Sequence, residues 1–317
     1  MIKQIFFLIF IIVLSCSKEQ PKEVGSSFLP LNHQEPYTAG KTYYGFNNYI
    51  EYIAGNLPII IVAPHGGSIT PSDIPDRTFG TIALDTNTAQ LSMVIADSIK
   101  ARFGKFPHLI ICRLKRTKLD ANRNIDEAAQ GNAIASHSWE EFHHYIEAAK
   151  TKITQDYGNG LYLDIHGHGI NPDGFYDLRI WLGYLLTGEE LDLPDNILNS
   201  DNYKNKSSIK MLAETSRSDF FELIRGSSSF GSLLENSGYA SVPSNISQSP
   251  QGSRFFSGGY NTLRHGSKNS GLIDAIQLEL PKTGIRNNQA EWSAFSGKLT
   301  DVLNQYFEEH YEINLSQ

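Results

Sequence analysis

Apolar residues along the chain recur in two rhythms. Short unbroken runs such as Pro58-Ile-Ile-Ile-Val-Ala63, His108-Leu-Ile-Ile-Cys112 and Gly160-Leu-Tyr-Leu-Asp-Ile165 read as strands buried on both faces, which is how parallel sheets are made. Between them apolar positions return at helical spacing. Leu91, Val94, Ile95, Ile99 and Phe103 form one stripe ended by Gly104, and Trp139, Phe142, Ile146, Ala149 and Ile153 form another within Trp139 to Asp156, so each buries one face. Further strands are expected at Leu178 to Leu182 and Ile273 to Leu280. A closing helix is expected over about residues 289–309, built on Trp292, Phe295, Leu299, Val302, Leu303 and Phe307. The alternation predicts an α/β fold, a three-layer sandwich around a mixed, mostly parallel central sheet. Two long polar connections, Ser68 to about Ala83 and the Gly/Ser/Asn-rich stretch Gly226 to Ser270, are expected as loops, the second walling a site.

The amino terminus breaks this pattern. Ile5 to Leu14 is almost wholly apolar, a signal-peptide core too short to span a bilayer. Val13-Leu14-Ser15-Cys16 follows and resembles the lipobox of bacterial lipoproteins, which implies cleavage before Cys16 and lipidation of its thiol. The expected organisation is a signal peptide at 1–15, a flexible tether at 16–40 rich in Lys, Glu, Pro, Ser and Gln, and a single domain at 41–317. The expected place is the bacterial cell envelope, periplasmic or surface-exposed, held to the membrane by the lipid on Cys16. The other cysteine, Cys112, then has no disulfide partner and reads as a small buried hydrophobe. A formal charge of -7 without a Lys/Arg cluster argues against a nucleic-acid partner. No Gly-x-Ser-x-Gly elbow occurs, which argues against a serine hydrolase.

Candidate chemistry sits where strands end. His65 leaves its strand into Gly66 and Gly67, and His166 leaves another into Gly167, His168 and Gly169, with the glycines expected to give a ligand close access. Two strand-end histidines suggest two metal ligands from neighbouring strands. Arg116-Thr-Lys-Leu-Asp-Ala-Asn-Arg123 reads either as a carboxylate clamp or as a solvated loop. Phe256 to Gly266 joins Gly258-Gly259 to Tyr260, Arg264 and His265, as a substrate-gripping loop would. Glu279 interrupts an apolar strand, which is costly unless it meets a cation or a catalytic water. His143 and His144, mid-helix beside glutamates, read as surface residues.

His65-Gly-Gly, Arg116-x-x-x-Asp-x-Asn-Arg123, Leu163-Asp-Ile-His-Gly-His168, Gly258-Gly-Tyr-Asn-Thr-Leu-Arg-His-Gly266 and Gln277-Leu-Glu279 stand in the order and approximate spacing of the N-formylglutamate amidohydrolases, which the chain resembles over about residues 55–285. That family is similar in turn to zinc carboxypeptidases and poly-γ-glutamate hydrolases. The resemblance implies the zinc carboxypeptidase (phosphorylase/hydrolase)-like fold and one Zn²⁺ held by two histidines, His65 and His166, and one carboxylate. The relatives place a Glu a few residues after the first His, where this chain has Ser68, Ile69 and Thr70. Asp76, in the loop that leaves His65, is the first choice for the third ligand. Asp85, nearer the acidic position of amidohydrolase relatives, is the alternative and Asp73 a poorer third. The resemblance further implies Glu279 as proton acceptor and Arg116 at the oxyanion. Asn122, Arg123, Tyr260, Arg264 and His168 would hold substrate, with His168 and Asp164 orienting His166. The implied activity is zinc-dependent hydrolysis of an amide in a small carboxylate-bearing substrate: an N-acyl or γ-glutamyl amino acid, or a peptide. The alternatives are an envelope metallo-carboxypeptidase or wall-peptide hydrolase, and a non-catalytic surface binding lipoprotein.

Because Cys16 ends the apolar core and opens the polar tether, Cys16→Ser is expected to abolish incorporation of a radioactive fatty acid. Equal labelling of variant and parent would refute the lipobox reading.

Overall fold

Continuous apolar runs leave no wet face, so the strands they form must lie inside the protein with helices over both sides. The computed structural model describes residues 28–169, 174 and 176–317, and the expected signal segment with Cys16 lies outside the described residues. Eight strands form one sheet: β1 (Thr42–Tyr44), β2 (Ile50–Ile53), β3 (Ile59–Ala63), β4 (His108–Cys112), β5 (Gly160–His168), β6 (Ile180–Gly183), β7 (Ser241–Val242) and β8 (Ile273–Pro281). Their order is β1-β2-β4-β3-β5-β8-β6-β7. β4, β3, β5 and β8 run parallel, while β2 joins β4 and β6 joins β8 antiparallel. Every residue of β3, β4 and β8 is buried.

The two faces carry separate cores. On one, Leu161, Leu163 and Ile165 meet Leu91, Ile95 and Ile99 of helix α1 (Thr88–Phe103) and the closing helix. On the other, Ile60, Val62 and Tyr162 meet Phe142, Ile146 and Ile153, which belong to a helix that follows the short α2 (Ile125–Ala129), namely α3 (Ala133–Tyr157). Asn132 caps α3 by accepting from the Ala135 N–H, and α1 stops where Gly104 turns left-handed at φ 69°, both standard helix-end chemistry. The chain leaves β3 through α1 to β4 on one side, then returns through α3 to β5 on the other. Ligand crevices of open α/β sheets form at such a reversal, beyond the carboxyl ends of the strands. His65 and His166 stand at that point.

Several expectations change. Residues 28–40, assigned to the tether, pack on the domain: Phe28 stacks on His137 at 4.1 Å and Tyr37 sets its edge on Tyr43 and Tyr52. The segment after β6 holds six helices the sequence did not signal, α4 (Gly188–Leu191), α5 (Asp195–Leu198), α6 (Asp201–Lys206), α7 (Lys210–Thr215), α8 (Phe220–Arg225) and α9 (Phe230–Asn236). With 4 to 7 residues each, they are too short to show a period. The stretch 226–270 is therefore no open loop, since it contains α9, β7 and α10 (Tyr260–His265). The closing helix α11 spans Gln289–Tyr306. No helix among the described residues is long and apolar enough to cross a membrane. Cys112 is a buried free thiol.

One buried charge in this fold reports on pH. Asp274 of β8 is fully buried with no cation beside it among the described residues, accepting from the Ser267 hydroxyl at 2.5 Å and the Tyr311 hydroxyl at 2.9 Å. Burial pushes its carboxyl up to about 7 despite those hydrogen bonds. The folded state therefore holds this proton more tightly than the unfolded chain. Its contribution is full below the ordinary carboxylate range and is lost as pH climbs from about 4 through about 7. Asp274→Asn should remove that slope: urea unfolding of parent and variant at pH 4.5 and pH 8 should show the variant gaining a few kcal/mol relative to the parent. An unchanged difference would mean that Asp274 is ionised throughout.

Candidate active site

Three side chains from three elements converge at the crevice. His65 lies two residues beyond β3, His166 is near the end of β5, and Asp85 precedes α1, where its carbonyl takes the Thr88 hydroxyl at 2.8 Å. His65 Nδ1 is 3.1 Å from His166 Nδ1 and 3.3 Å from Asp85 Oδ2, and His166 Nδ1 is 3.0 Å from the same oxygen. All three residues are buried. The glycine beside each histidine is needed for packing, and Gly167 also lines the cleft. A Cβ on Gly66 would meet the Ala89 nitrogen of α1 at 2.3 Å, and one on Gly167 would meet the Arg286 guanidinium carbon at 2.2 Å.

A further layer fixes which nitrogen faces inward. His65 Nε2 is 2.7 Å from Asp120 Oδ1, a buried carboxylate also held by Arg116 Nε at 2.9 Å and the Asn122 N–H at 3.0 Å. His166 Nε2 is 3.2 Å from Asp164 Oδ2. Asp120 takes the Nε2 proton of His65, and the ion pair of Asp164 with His166 Nε2 faces that nitrogen outward too, so both Nδ1 atoms aim at the centre, the arrangement of metal-bound histidines. Two lone pairs and a carboxylate oxygen about 3 Å apart repel one another unless a positive charge joins them. The electrostatics give the same demand. Burial opposes ionisation of both groups, yet contacts with His166 and His65 hold Asp85 far below the usual carboxylate range, and Asp164 and Asp85 raise His166 well above the usual histidine range. The edges of 3.0–3.3 Å match a tetrahedral ion with ligands near 2.0–2.1 Å, whose donors stand about 3.3 Å apart. Two imidazoles and one carboxylate therefore fit a divalent metal with an open position.

The cleft above this centre has a volume of about 580 Å³ and is lined by Leu84, Arg116, Asn122, Arg123, His168, Arg254, Phe256, Gly259 and Glu279, among others. Glu279 stands opposite His166 in the β5–β8 register, so the pleat puts both on one face. Its carboxylate accepts from the Gln277 amide at 2.9 Å. Burial pushes the carboxyl up to about 7, with Asp85 adding to the rise and His166 opposing it.

Not every expected residue arrives here. Asp76 is excluded from the centre: its side chain is 67% exposed and pairs with Lys118 at 3.0 Å. Asp73 is also exposed, so the carboxylate beside the histidines is Asp85. Tyr260 and Arg264 do not line the cleft; the Tyr260 hydroxyl accepts from Arg264 at 2.9 Å, and Arg264 lies over Trp139. Arg123 lines the cleft with its Nε 3.2 Å from Glu127. His168 lines it too, but stacks on Trp181 at 4.1 Å and bonds the Arg179 carbonyl, so it does not orient His166. Burial lowers it to about 4. His143, expected at the surface, is buried with Nδ1 2.8 Å from His265 Nε2, and His265 in turn meets Glu147 at 3.0 Å. Residues overlooked in the sequence include Asp120 and two buried arginines. Arg77 approaches Asp120 at 3.7 Å, and Arg286 donates to the carbonyls of Leu280, His168 and Thr86. Asp120 lies within the Arg116–Arg123 motif, but nothing in the sequence marks it as buried.

Comparison with solved structures places the fold. An N-formylglutamate amidohydrolase from Ralstonia eutropha superposes with a TM-score of 0.50 at 12% identity, covering 83% of this chain and 99% of that one. A gene product of Agrobacterium tumefaciens gives 0.46 at 13%, covering 82% and 95%. A succinylglutamate desuccinylase from Chromobacterium violaceum gives 0.35 at 14%, covering 84% and 66%. At these identities the first likeness is one of fold, the zinc carboxypeptidase-like amidohydrolase arrangement with helices on both sides of a mixed, mostly parallel sheet. No family model matches the sequence, and no curated protein matches it.

The geometry separates the two aspartates. Asp85→Asn should weaken zinc binding as severely as His65→Ala, while Asp76→Asn should leave it intact. Asp120→Asn, which removes the negative charge behind His65 and one of the two acceptors that serve His65 and Arg116, should cost roughly 10- to 100-fold in affinity. Competition against a chromogenic chelator measures all four, and normal zinc binding by Asp85→Asn would rule out the site as drawn.

Proposed function

We propose that the protein is a zinc-dependent amide hydrolase acting on small carboxylate-bearing substrates, N-acyl or γ-glutamyl amino acids or peptides, at a lipid-anchored position on the cell envelope. The observation that carries this reading is the triangle of His65 Nδ1, His166 Nδ1 and Asp85 Oδ2, which demands a cation at the floor of a cleft where Glu279 stands beside it. Two imidazole nitrogens and one carboxylate suit zinc. Zinc so held would make water acidic enough to attack at neutral pH and would polarise the scissile carbonyl.

The chain's own residues do the rest. Glu279, ionised, takes a proton from the attacking water and returns it to the departing nitrogen. Its raised proton affinity suits both halves of that transfer, because a group poised near working pH accepts and donates with little loss. Arg116, fixed at Nε by Asp120, faces the developing negative charge on the carbonyl oxygen with its remaining donors. Asn122 is held in place by the Asn261 N–H, which donates to its Oδ1 at 2.7 Å. Such preset contacts spare reorganisation as the reaction proceeds.

Glu279→Gln keeps the shape and loses the proton acceptor, so kcat should fall about 10²- to 10⁴-fold with KM little changed. Steady-state kinetics on any cleaved acyl-amino acid or dipeptide decides this. Retention of near-parental kcat would make Glu279 structural, and absence of bound zinc together with absence of amide cleavage across such a panel would remove the hydrolase reading.

A further inference from the structure

Three guanidinium groups line the cleft, and two are already matched by carboxylates of the protein. Arg116 pairs with Asp120 at 2.9 Å and approaches Asp85 at 3.7 Å, while Arg123 pairs with Glu127 at 3.2 Å. Arg254 has no carboxylate within 4.0 Å among the described residues, and it is exposed. It is nevertheless placed. Its guanidinium lies 5.0 Å over the ring of Phe256, which meets Trp181 at 5.6 Å. Trp181 is buried, donates its indole N–H to Asp177 at 3.0 Å and stacks on His168 at 4.1 Å. A cation on an aromatic face keeps its edge donors free for a ligand, because the ring occupies only the flat face.

The position of this platform matters. Trp181 pairs with Glu279 in the β6–β8 register, so Phe256 and Arg254 rise on the flank beyond Glu279. Arg116 and Arg123 come from the segment after β4 on the opposite flank. In a protein of net charge -7, a cation without a carboxylate partner among the described residues, seated at the mouth of a cleft, is the group an anionic ligand would meet.

We infer that Arg254, seated on Phe256, receives the substrate carboxylate and so sets specificity, a role that the family resemblance implied for Asn122, Arg123 and Arg264. This deepens the hydrolase reading and rests on it for the identity of the ligand as substrate. A charge-assisted pair of this kind changes affinity roughly tenfold to a hundredfold. Arg254→Lys keeps the charge without the planar fork, and Phe256→Leu removes the seat, so each should lose part of the effect.

The test is calorimetric binding to the full chain carrying Glu279→Gln, with a panel of N-acetyl amino acids and dipeptides, each paired with its carboxamide. The expected result is a carboxylate preference that falls at least tenfold in Arg254→Ala, falls partly in Arg254→Lys, and persists in Arg123→Ala. A preference unchanged by Arg254→Ala, one lost only in Arg123→Ala, or none at all overturns the assignment. Zinc content and amide cleavage of the parent chain judge the hydrolase reading separately. Arg254-dependent carboxylate binding by an inert, zinc-free protein would sink that reading alone, and cleavage indifferent to Arg254 would sink this one alone.

Discussion

The mutual approach of His65 Nδ1, His166 Nδ1 and Asp85 Oδ2 within 3.3 Å is the constraint around which the rest is arranged. Three electron-rich atoms in a buried place are stable only with positive charge among them, either a proton shared with His166 or a metal ion. Every nearby polar group acts on that requirement. Asp120 takes the outward proton of His65, Asp164 stands 3.2 Å behind His166 Nε2, and Arg116 and Arg77 keep Asp120 ionised from behind. On the His65 side the charges alternate outward from the centre, carboxylate behind histidine and guanidinium behind carboxylate. Removing one member would leave its neighbour buried and unpaired, which costs more than the pair itself contributes.

The sheet supplies the precision. β3 and β5 are adjacent and parallel, and the chain reverses its direction of travel across the sheet between them, so their carboxyl ends open side by side. β8 lies in register with β5, His166 opposite Glu279 and Asp164 opposite Gln277. The pleat then aligns ligand, proton acceptor and their supporting groups on one face without help from loops. Asp85 arrives differently. Its chain position is tied by its N–H to the His65 carbonyl at 3.3 Å and by its own carbonyl to Thr88, so the start of α1 carries the third donor. That docking needs Gly66 to lack a side chain.

How much of this the sequence carried follows from the same physics. His65, His166 and Glu279 could be read because polar residues at or inside continuous apolar runs violate burial, and the violation marks the site. The parallel core was legible for the same reason. The choice between Asp76 and Asp85 was not, because nothing local fixes the path of a twenty-residue polar connection, and Lys118, which claims Asp76, is distant in sequence. Tyr260 and Arg264 were misassigned because α10 is a helix: its phase turns them toward Trp139 while the Gly258-Gly259 turn before it stays in the cleft. Asp120 was invisible as a functional group since one aspartate among arginines looks like ordinary surface charge. Its burial, which changes that meaning, exists only once α2 and the loop after β4 close over it.

The cleft's charge distribution then separates structure from recognition. A guanidinium committed to a buried carboxylate has little left for a ligand, because its field is neutralised and its fork partly occupied. Arg116 is committed in this way, as are the buried Arg77 and Arg286, whose donors are spent on Asp120 and on backbone carbonyls, and Arg123 is matched by the half-buried Glu127. They hold the centre rigid, and among them Arg116, bound to Asp120 through Nε, keeps its outer donors for the reacting carbonyl oxygen. An arginine seated on an aromatic ring keeps its charge and its edge, at the mouth where solvent can still bring the ligand in. The cations that define the fold of the site and the cation that selects its ligand are therefore different residues, and arginine count alone could not have told them apart.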